Sequence, residues 1–354
     1  MTGIPRFLGT TMVGLAALLL TACGGGSGTQ GGTGSLSASI TDAAVDEVEA
    51  VNLRVVALQL RLQDAEEDDW VVVELLDDLG QGLAFNLLDY QHGEVFPLFE
   101  DERVPAGVYS HARLVLQAPA RTPGECVGQD PESGSHVVVR NTQALVPLFV
   151  PSGANTGVKL ASPFRVPEDG EAAIVIDFDL RQSLFQPPAF QDQCYFLRPA
   201  FRVEAVQNTG RIAGSVDEVL LTGSSCSDND PATGNAVYVY EGSIENPGDI
   251  HADPGSGTAA PFATAVVKYD MTAGEGRYVV DFLPPGDYTV AFTCRADHER
   301  LPDPDAGTDG ERFAVDELDF QHPQNAMVEV RKTTPVNFPP SEPAGGEELT
   351  EELE

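Results

Sequence analysis

The sequence predicts an all-β protein built of two β-sandwich domains. Three observations predict it. Short runs of alternating apolar and polar residues recur along most of the 354 residues. Turn residues such as Asn229-Asp230-Pro231 and Pro284-Pro285-Gly286 punctuate them. Helical periodicity is almost absent, and many short strands without it argue for sandwiches.

The chain opens with Arg6 and an apolar run, Phe7 to Leu20, followed by small residues at 21–22. This layout reads as a secretory signal over residues 1–22. The run is too short to span a bilayer, which takes about 20 apolar residues. Residues 23–35, rich in Gly, Ser and Thr, read as a linker, and as a coil they span on the order of 20 Å.

From Leu36 onward the pattern is β, and residues 36–208 form the first expected domain. Val51, Leu53 and Val55 share one phase, then Val56, Leu58, Leu60 and Leu62 take over, which predicts a bulge or bend. Strands follow at Trp70 to Leu76 and Val108 to Gln117. A hairpin, His136 to Arg140 with Ala144 to Val150, turns around Asn141 to Gln143. Ile174 to Leu180 alternates, and Tyr195 to Val206 closes the domain.

Residues 209–338 form the second, with strands at Arg211 to Asp217, Ala236 to Glu241, Ala263 to Tyr269, Gly276 to Phe282 and Asp287 to Cys294. Ala326 to Val330 and Pro335 to Phe338 complete it. Two brief segments, Asp42 to Ala50 and Leu83 to Tyr90, are the helical candidates. Residues 339–354, rich in Pro, Gly and Glu, are expected to be a disordered acidic tail.

The net charge of −35 excludes a nucleic acid partner, because such a surface repels phosphate, and it repels anionic head groups equally. A membrane attachment must therefore come from lipid. Leu20-Thr21-Ala22-Cys23 resembles the lipobox of bacterial lipoproteins. The resemblance implies cleavage before Cys23 and acylation of its thiol, which anchors the chain to a lipid bilayer. Gly24 after the cysteine, rather than Asp, is similar to lipoproteins sorted to the outer membrane.

Four other cysteines remain: Cys126, Cys194, Cys226 and Cys294. An even number in an exported chain points to disulfides, and four allow three pairings. Cys126–Cys194 with Cys226–Cys294 is preferred, because each bridge then stays inside one domain. No Cys-x-x-Cys pair suggests zinc.

The first domain resembles the bacterial domain of unknown function 4382. The carriers are Ile40-Thr41-Asp42-Ala43, Phe85-Asn86-Leu87-Leu88, Val104-Pro105-Ala106-Gly107-Val108-Tyr109, Arg113-Leu114-Val115-Leu116 and Val150-Pro151-Ser152-Gly153. Thr156-Gly157-Val158-Lys159-Leu160, Ile176-Asp177-Phe178-Asp179 and Leu197-Arg198-Pro199 follow in order. That family implies no catalytic residues. The second domain resembles the transthyretin-like or carboxypeptidase-regulatory sandwich. Gly210 to Val216 matches its first strand, and Tyr278 to Val290 its hairpin, in which Gly permits the turn and Tyr plugs the core. The resemblance implies an accessory or stalk module of immunoglobulin-like or transthyretin-like architecture.

No Gly-x-Ser-x-Gly, His-Glu-x-x-His or phosphate loop occurs, and the six histidines are scattered singly. Trp70, after Glu66-Glu67-Asp68-Asp69, suits a core position better than a sugar platform. Asp177 and Asp179 project from one strand face. Two carboxylates there suit a cation or acid–base work, although a solvated sheet face explains them as well. Asp42 and Asp46 are candidates to converge on them. Asp303, Asp305, Asp309 and Glu311, on a loop with Gly307 and Gly310, offer hard oxygens suited to Ca²⁺, but the spacing departs from the helix-loop-helix calcium loop.

The reading is a lipid-anchored envelope lipoprotein that acts without catalysis, as a binding or structural module. Its rivals are a cation-dependent adhesin or glycan binder and an enzyme using Asp177 and Asp179. Apart from Ca²⁺, no cofactor is expected. An envelope protein or a glycan is the expected partner besides the bilayer.

Overall fold

The strands of the described residues form four sheets, which pack as two sandwiches within one unit that begins at Gly32. The computed structural model describes residues 32–43, 48–117, 134–140, 142–150, 157–186, 194–197, 200–250, 252, 257–299 and 318–339. The expected signal, Cys23, Asp46, Cys126, the loop from Asp303 to Glu311 and the tail beyond Pro339 lie outside them.

The first sandwich runs through β1 (Thr33–Ala43), β2 (Val48–Leu62), β3 (Val71–Glu74), β4 (Leu83–Asn86), β5 (Phe96–Pro105), β6 (Gly107–Leu116) and β7 (His136–Val139). It continues through β8 (Leu145–Phe149), β9 (Gly157–Val166), β10 (Glu171–Asp179), α1 (Leu180–Ser183), β11 (Leu184–Phe185), β12 (Tyr195–Leu197) and β13 (Phe201–Ala205). One sheet has the order β13-β10-β1-β5, with β1 and β10 parallel. The other holds nine strands around β2.

β2 is 15 residues long and pairs with four strands. Its first half meets β7 and β4, its second half β6 and β3. The expected change of phase is a bulge: Val55 faces Leu116 and Ala57 faces Val115, which leaves Val56 between them. Val51, Leu53 and Val55 are buried before it, Leu58 and Leu60 after it. Apolar side chains of both sheets, among them Leu36, Ile40, Ile174, Ile176, Phe178, Leu58 and Tyr109, fill the space between them.

The second sandwich comprises β14 (Gly210–Asp217), α2 (Glu218–Leu221), β15 (Ala236–Glu241), β16 (Ala263–Val266), β17 (Lys268–Asp270), β18 (Glu275–Leu283), β19 (Gly286–Thr293), β20 (Gln321–Val328) and β21 (Thr333–Pro335). Its sheets are β17-β18-β14-β21 and β16-β15-β19-β20. Ile212, Tyr278 and Val280 face Val237, Val239, Val290 and Phe292 across the core. The far face of β15 is buried too: Tyr238 and Tyr240 lie against Ile250 and Phe320. A strand covered on both faces reads as a continuous apolar run, as Ala-Val-Tyr-Val-Tyr does. Cys226 and Cys294 are bonded, with Cα atoms 5.0 Å apart. Cys194 is buried and disulfide-bonded.

Four expectations are corrected. Asp42 to Ala50 is not helical where described: Asp42 and Ala43 end β1, and Val48 opens β2. Leu83 to Asn86 is a strand that pairs with β2, and only Leu87–Asp89 turns, as a 3-10 helix. Asn86 sets that boundary, since its Oδ1 accepts from Leu88 N at 3.2 Å and from Val51 N at 3.0 Å. Tyr195 to Val206 is two strands, β12 and β13, in different sheets. Finally, β1 begins at Thr33, inside the expected linker. Its backbone is claimed there, because Thr33 O accepts from Asp169 N, and Gly34 passes so near Pro167 O that a Cβ would sit 2.2 Å from it.

Two strands lacked a clear pattern. The centre of β5, Glu100-Asp101-Glu102-Arg103, is exposed throughout and shows no alternation to read. β9 was likewise not anticipated.

Candidate functional site

A cavity of about 280 Å³ lies where the two sandwiches meet. β10 and β13 of the first sandwich and β16 and β18 of the second form its walls, with the Gln91–Gly93 turn. Asp177 and Asp179 line it. Alternation along β10 sends Ile174, Ile176 and Phe178 into the core and both aspartates to the opposite face. That face is not solvated: Val175, which shares it, is fully buried. The aspartates therefore lie half-buried under the second sandwich.

Each has a structural partner. Asp177 stands opposite Arg202 in the β10–β13 register and pairs with it. The Arg202 guanidinium lies 4.5 Å from the centre of the Phe262 ring and donates to Phe262 O at 3.2 Å, so it ties the sandwiches together. Asp179 is the N-cap of α1: Oδ1 accepts from Gln182 N at 3.0 Å, and Oδ2 from Gln182 Nε2 at 2.8 Å. Burial pushes the Asp179 carboxyl above its ordinary value, and the Gln182 N–H opposes that. Asp42 also lines the cavity and accepts from Leu180 N at 3.2 Å, so it does converge on the β10 end.

Three further residues carry polar atoms that are buried without a hydrogen-bond partner. Asp281, on β18, has a side chain only 6% exposed. Arg211 Nε donates to its Oδ1 at 2.8 Å, while Oδ2 has no partner. Burial raises its pKa, against the pull of Arg211. Gly93 comes so close that a Cβ would meet that Oδ2 at 2.3 Å, and its φ of +88° suits glycine. His92, before it, also has positive φ, at 59°. Its Nε2 lies 3.0 Å from Val266 O, and its Nδ1 is buried without a partner. Burial, and then Lys268, lower its pKa. Thr264 Oγ1 is the third such atom.

A second polar cluster joins the sandwiches deeper in. Arg181 of α1 donates to Ala296 O at 3.1 Å and pairs with Glu299 at 3.5 Å. Glu299 also accepts from Ile250 N at 2.7 Å and from the Tyr238 hydroxyl. Burial pushes Glu299 up to about 7, against the pull of Arg181.

Trp70 and the turn at Asp228–Asp230 lie elsewhere. Trp70 is half-buried, with Arg113 4.3 Å and Arg61 5.1 Å from its ring centre, so its ring is engaged by cations. Asp228 and Asp230 hold their own loop, accepting from the backbone N–H groups of Asp230 and Ala232. Among the described residues, no three His, Cys, Asp or Glu side chains gather as a metal would need. The hairpin Tyr plugs the core as expected, with the Tyr288 hydroxyl donating to Pro284 O at 2.9 Å. The positive φ, however, falls at Phe282 (56°) rather than at Gly286.

Fold and site define an all-β protein of two packed sandwiches with a polar cavity at their junction. Residues 33–199, just under half of the chain, match the family described as a domain of unknown function, DUF4382. No curated protein matches the chain. Similar solved structures include a leucine-rich repeat protein from Bacteroides thetaiotaomicron, with TM-score 0.19, 9% identity, and coverage of 87% of this chain and 26% of that one. The Bacillus anthracis TIE protein gives TM-score 0.16 and 10% identity, over 86% of this chain and 34% of that one. GBS52, the minor pilin of Streptococcus agalactiae, gives 0.16 and 12%, over 88% and 100%. The chain thus spans about a quarter and a third of the length of the first two. At such TM-scores these likenesses carry no argument.

Proposed function

We propose that this chain is a lipoprotein anchored through acylated Cys23 in the bacterial outer membrane, serving there as a non-enzymatic binding or structural module. The observation that carries the module reading is the buried Arg181–Glu299 tie, which joins the two sandwiches. Asp177 and Asp179 support it, since both carboxylates are engaged in holding structure. The boundary between the domains at 208–209, and the accessory character of the second domain, belong to the same reading. The anchor rests on the order of apolar run, Leu20-Thr21-Ala22-Cys23 and Gly-rich linker. Stable attachment takes at least two acyl chains, which the lipoprotein resemblance supplies.

Fractionation of cells that express the Cys23→Ser chain tests the anchor. The variant is expected in the soluble or uncleaved fraction, and a processed variant that still partitions with membranes overturns it. Pulldown of envelope partners, with and without calcium, tests the module. Hydrolytic turnover that Asp177→Asn abolishes would replace it with an enzyme.

A further inference from the structure

We propose that the cavity between the sandwiches binds a small primary alkylammonium, held by Asp281, His92 and Thr264. This deepens the binding half of the proposed function and is independent of the lipid anchor.

The unpartnered atoms define the chemistry. Asp281 and Thr264 have side chains at least nine-tenths buried, 6% and 4% exposed, yet Asp281 Oδ2 and Thr264 Oγ1 lack partners. A buried polar atom left unpaired costs about 1–3 kcal/mol, so these atoms favour a partner that can donate to them. The tautomer of His92 follows from its neighbour. Val266 O can only accept, so Nε2 carries the proton and Nδ1 presents a bare lone pair. All three residues line the one cavity, and each can accept a hydrogen bond. An ammonium group has three N–H donors and no acceptor.

Charge points the same way. Asp42, Asp177, Asp179 and Asp281 line the cavity, against Arg202. Arg202 is engaged with Asp177, Phe262 O and the Phe262 ring, although its Nε is unpartnered. Arg211 is bound to the other oxygen of Asp281, and Lys268 acts on His92. A metal ion fits less well, because no three ligating side chains gather among the described residues. The volume, about 280 Å³, leaves room for an alkyl stem, and Phe262 and Phe282 are among the residues that line it.

Calorimetric titration of the purified full chain with n-butylammonium chloride tests the proposal. Tetramethylammonium, which has no N–H donors, calcium chloride and sodium chloride serve as controls. Saturable one-site binding is expected with butylammonium, at least tenfold tighter than with tetramethylammonium. Asp281→Asn should weaken it at least tenfold and Thr264→Val about threefold, while Asp228→Asn leaves it unchanged. Both cavity variants should still melt cooperatively. If Asp281→Asn fails to fold, the nearly isosteric Thr264→Val decides. No saturation with butylammonium, an equal response to sodium chloride, tighter binding of calcium, or unchanged affinity in the variants overturns the proposal. Because the chain is tested in detergent, membrane release of the Cys23→Ser chain bears on the anchor alone.

Discussion

Arg181, on the short helix after β10, forms a buried ion pair with Glu299 of the second sandwich; their side chains are 6% and 3% exposed. The pair is completed by Ala296 O, Ile250 N and the Tyr238 hydroxyl. A buried charge whose partner is removed is far costlier than the loss of both. Glu299→Ala should therefore lower stability by about 3 to 5 kcal/mol. Arg181→Met should cost less, because Glu299, already pushed up to about 7, can take a proton. Urea denaturation of both variants checks the order. An equal loss would show that the pair is replaceable packing.

Stability should fall as pH rises from about 4.5 to 7. Glu299 and Glu204 are both pushed up to about 7 from 4.5, chiefly by burial. In that window the native chain holds protons that the unfolded chain has released, so rising pH favours unfolding. Each shift of that size corresponds to on the order of 3 kcal/mol, fully lost above the native value. The growing negative charge acts in the same direction. Denaturation midpoints at pH 5 and pH 7.5 measure it, and Glu299→Gln should flatten the slope.

Tyr109 and Tyr288 occupy matching places in the two sandwiches. Each follows Pro-x-Gly-x, and each hydroxyl donates to a carbonyl four residues back, Pro105 O at 2.7 Å and Pro284 O at 2.9 Å. Replacement by Phe should cost about 1 kcal/mol at either site. The double variant should show the sum, since distant sites add. A double loss well above the sum would mean that the two corners are coupled.

The Cys226–Cys294 bridge closes a loop of 68 residues. Replacing both cysteines by Ala should destabilise the chain by roughly 4 kcal/mol, through loop-closure entropy. The melting temperature of the double variant, against that of the parent under non-reducing conditions, gives the value.

Most strands were legible because a period of two survives wherever one face is buried. β10, with Ile174, Ile176 and Phe178 inward, is an example. The bulge at Val56 was legible for the same reason, since one extra residue flips the pattern. β5 was not, because its exposed acids are all of one character. The aspartates of β10 were visible, but not what covers them, since alternation fixes a face and not its neighbour. Asp281 sat in a hairpin that could be recognised, and nothing local marked its oxygen as unpaired. His92, Arg181 and Glu299 act only across the junction, where sequence distance is no guide: 174 positions separate His92 from Val266.

The position of β1 bears on mechanical load. Tension applied from the N-terminal side enters the fold at Thr33, its first residue. β1 is not an edge strand: it lies between β5 and β10 and runs parallel to β10 over nine paired residues. Drawn along its own length, it must shear those rungs together instead of peeling them off singly. The rate of forced unfolding, which follows the unfolding barrier, should therefore be low at this end of the chain.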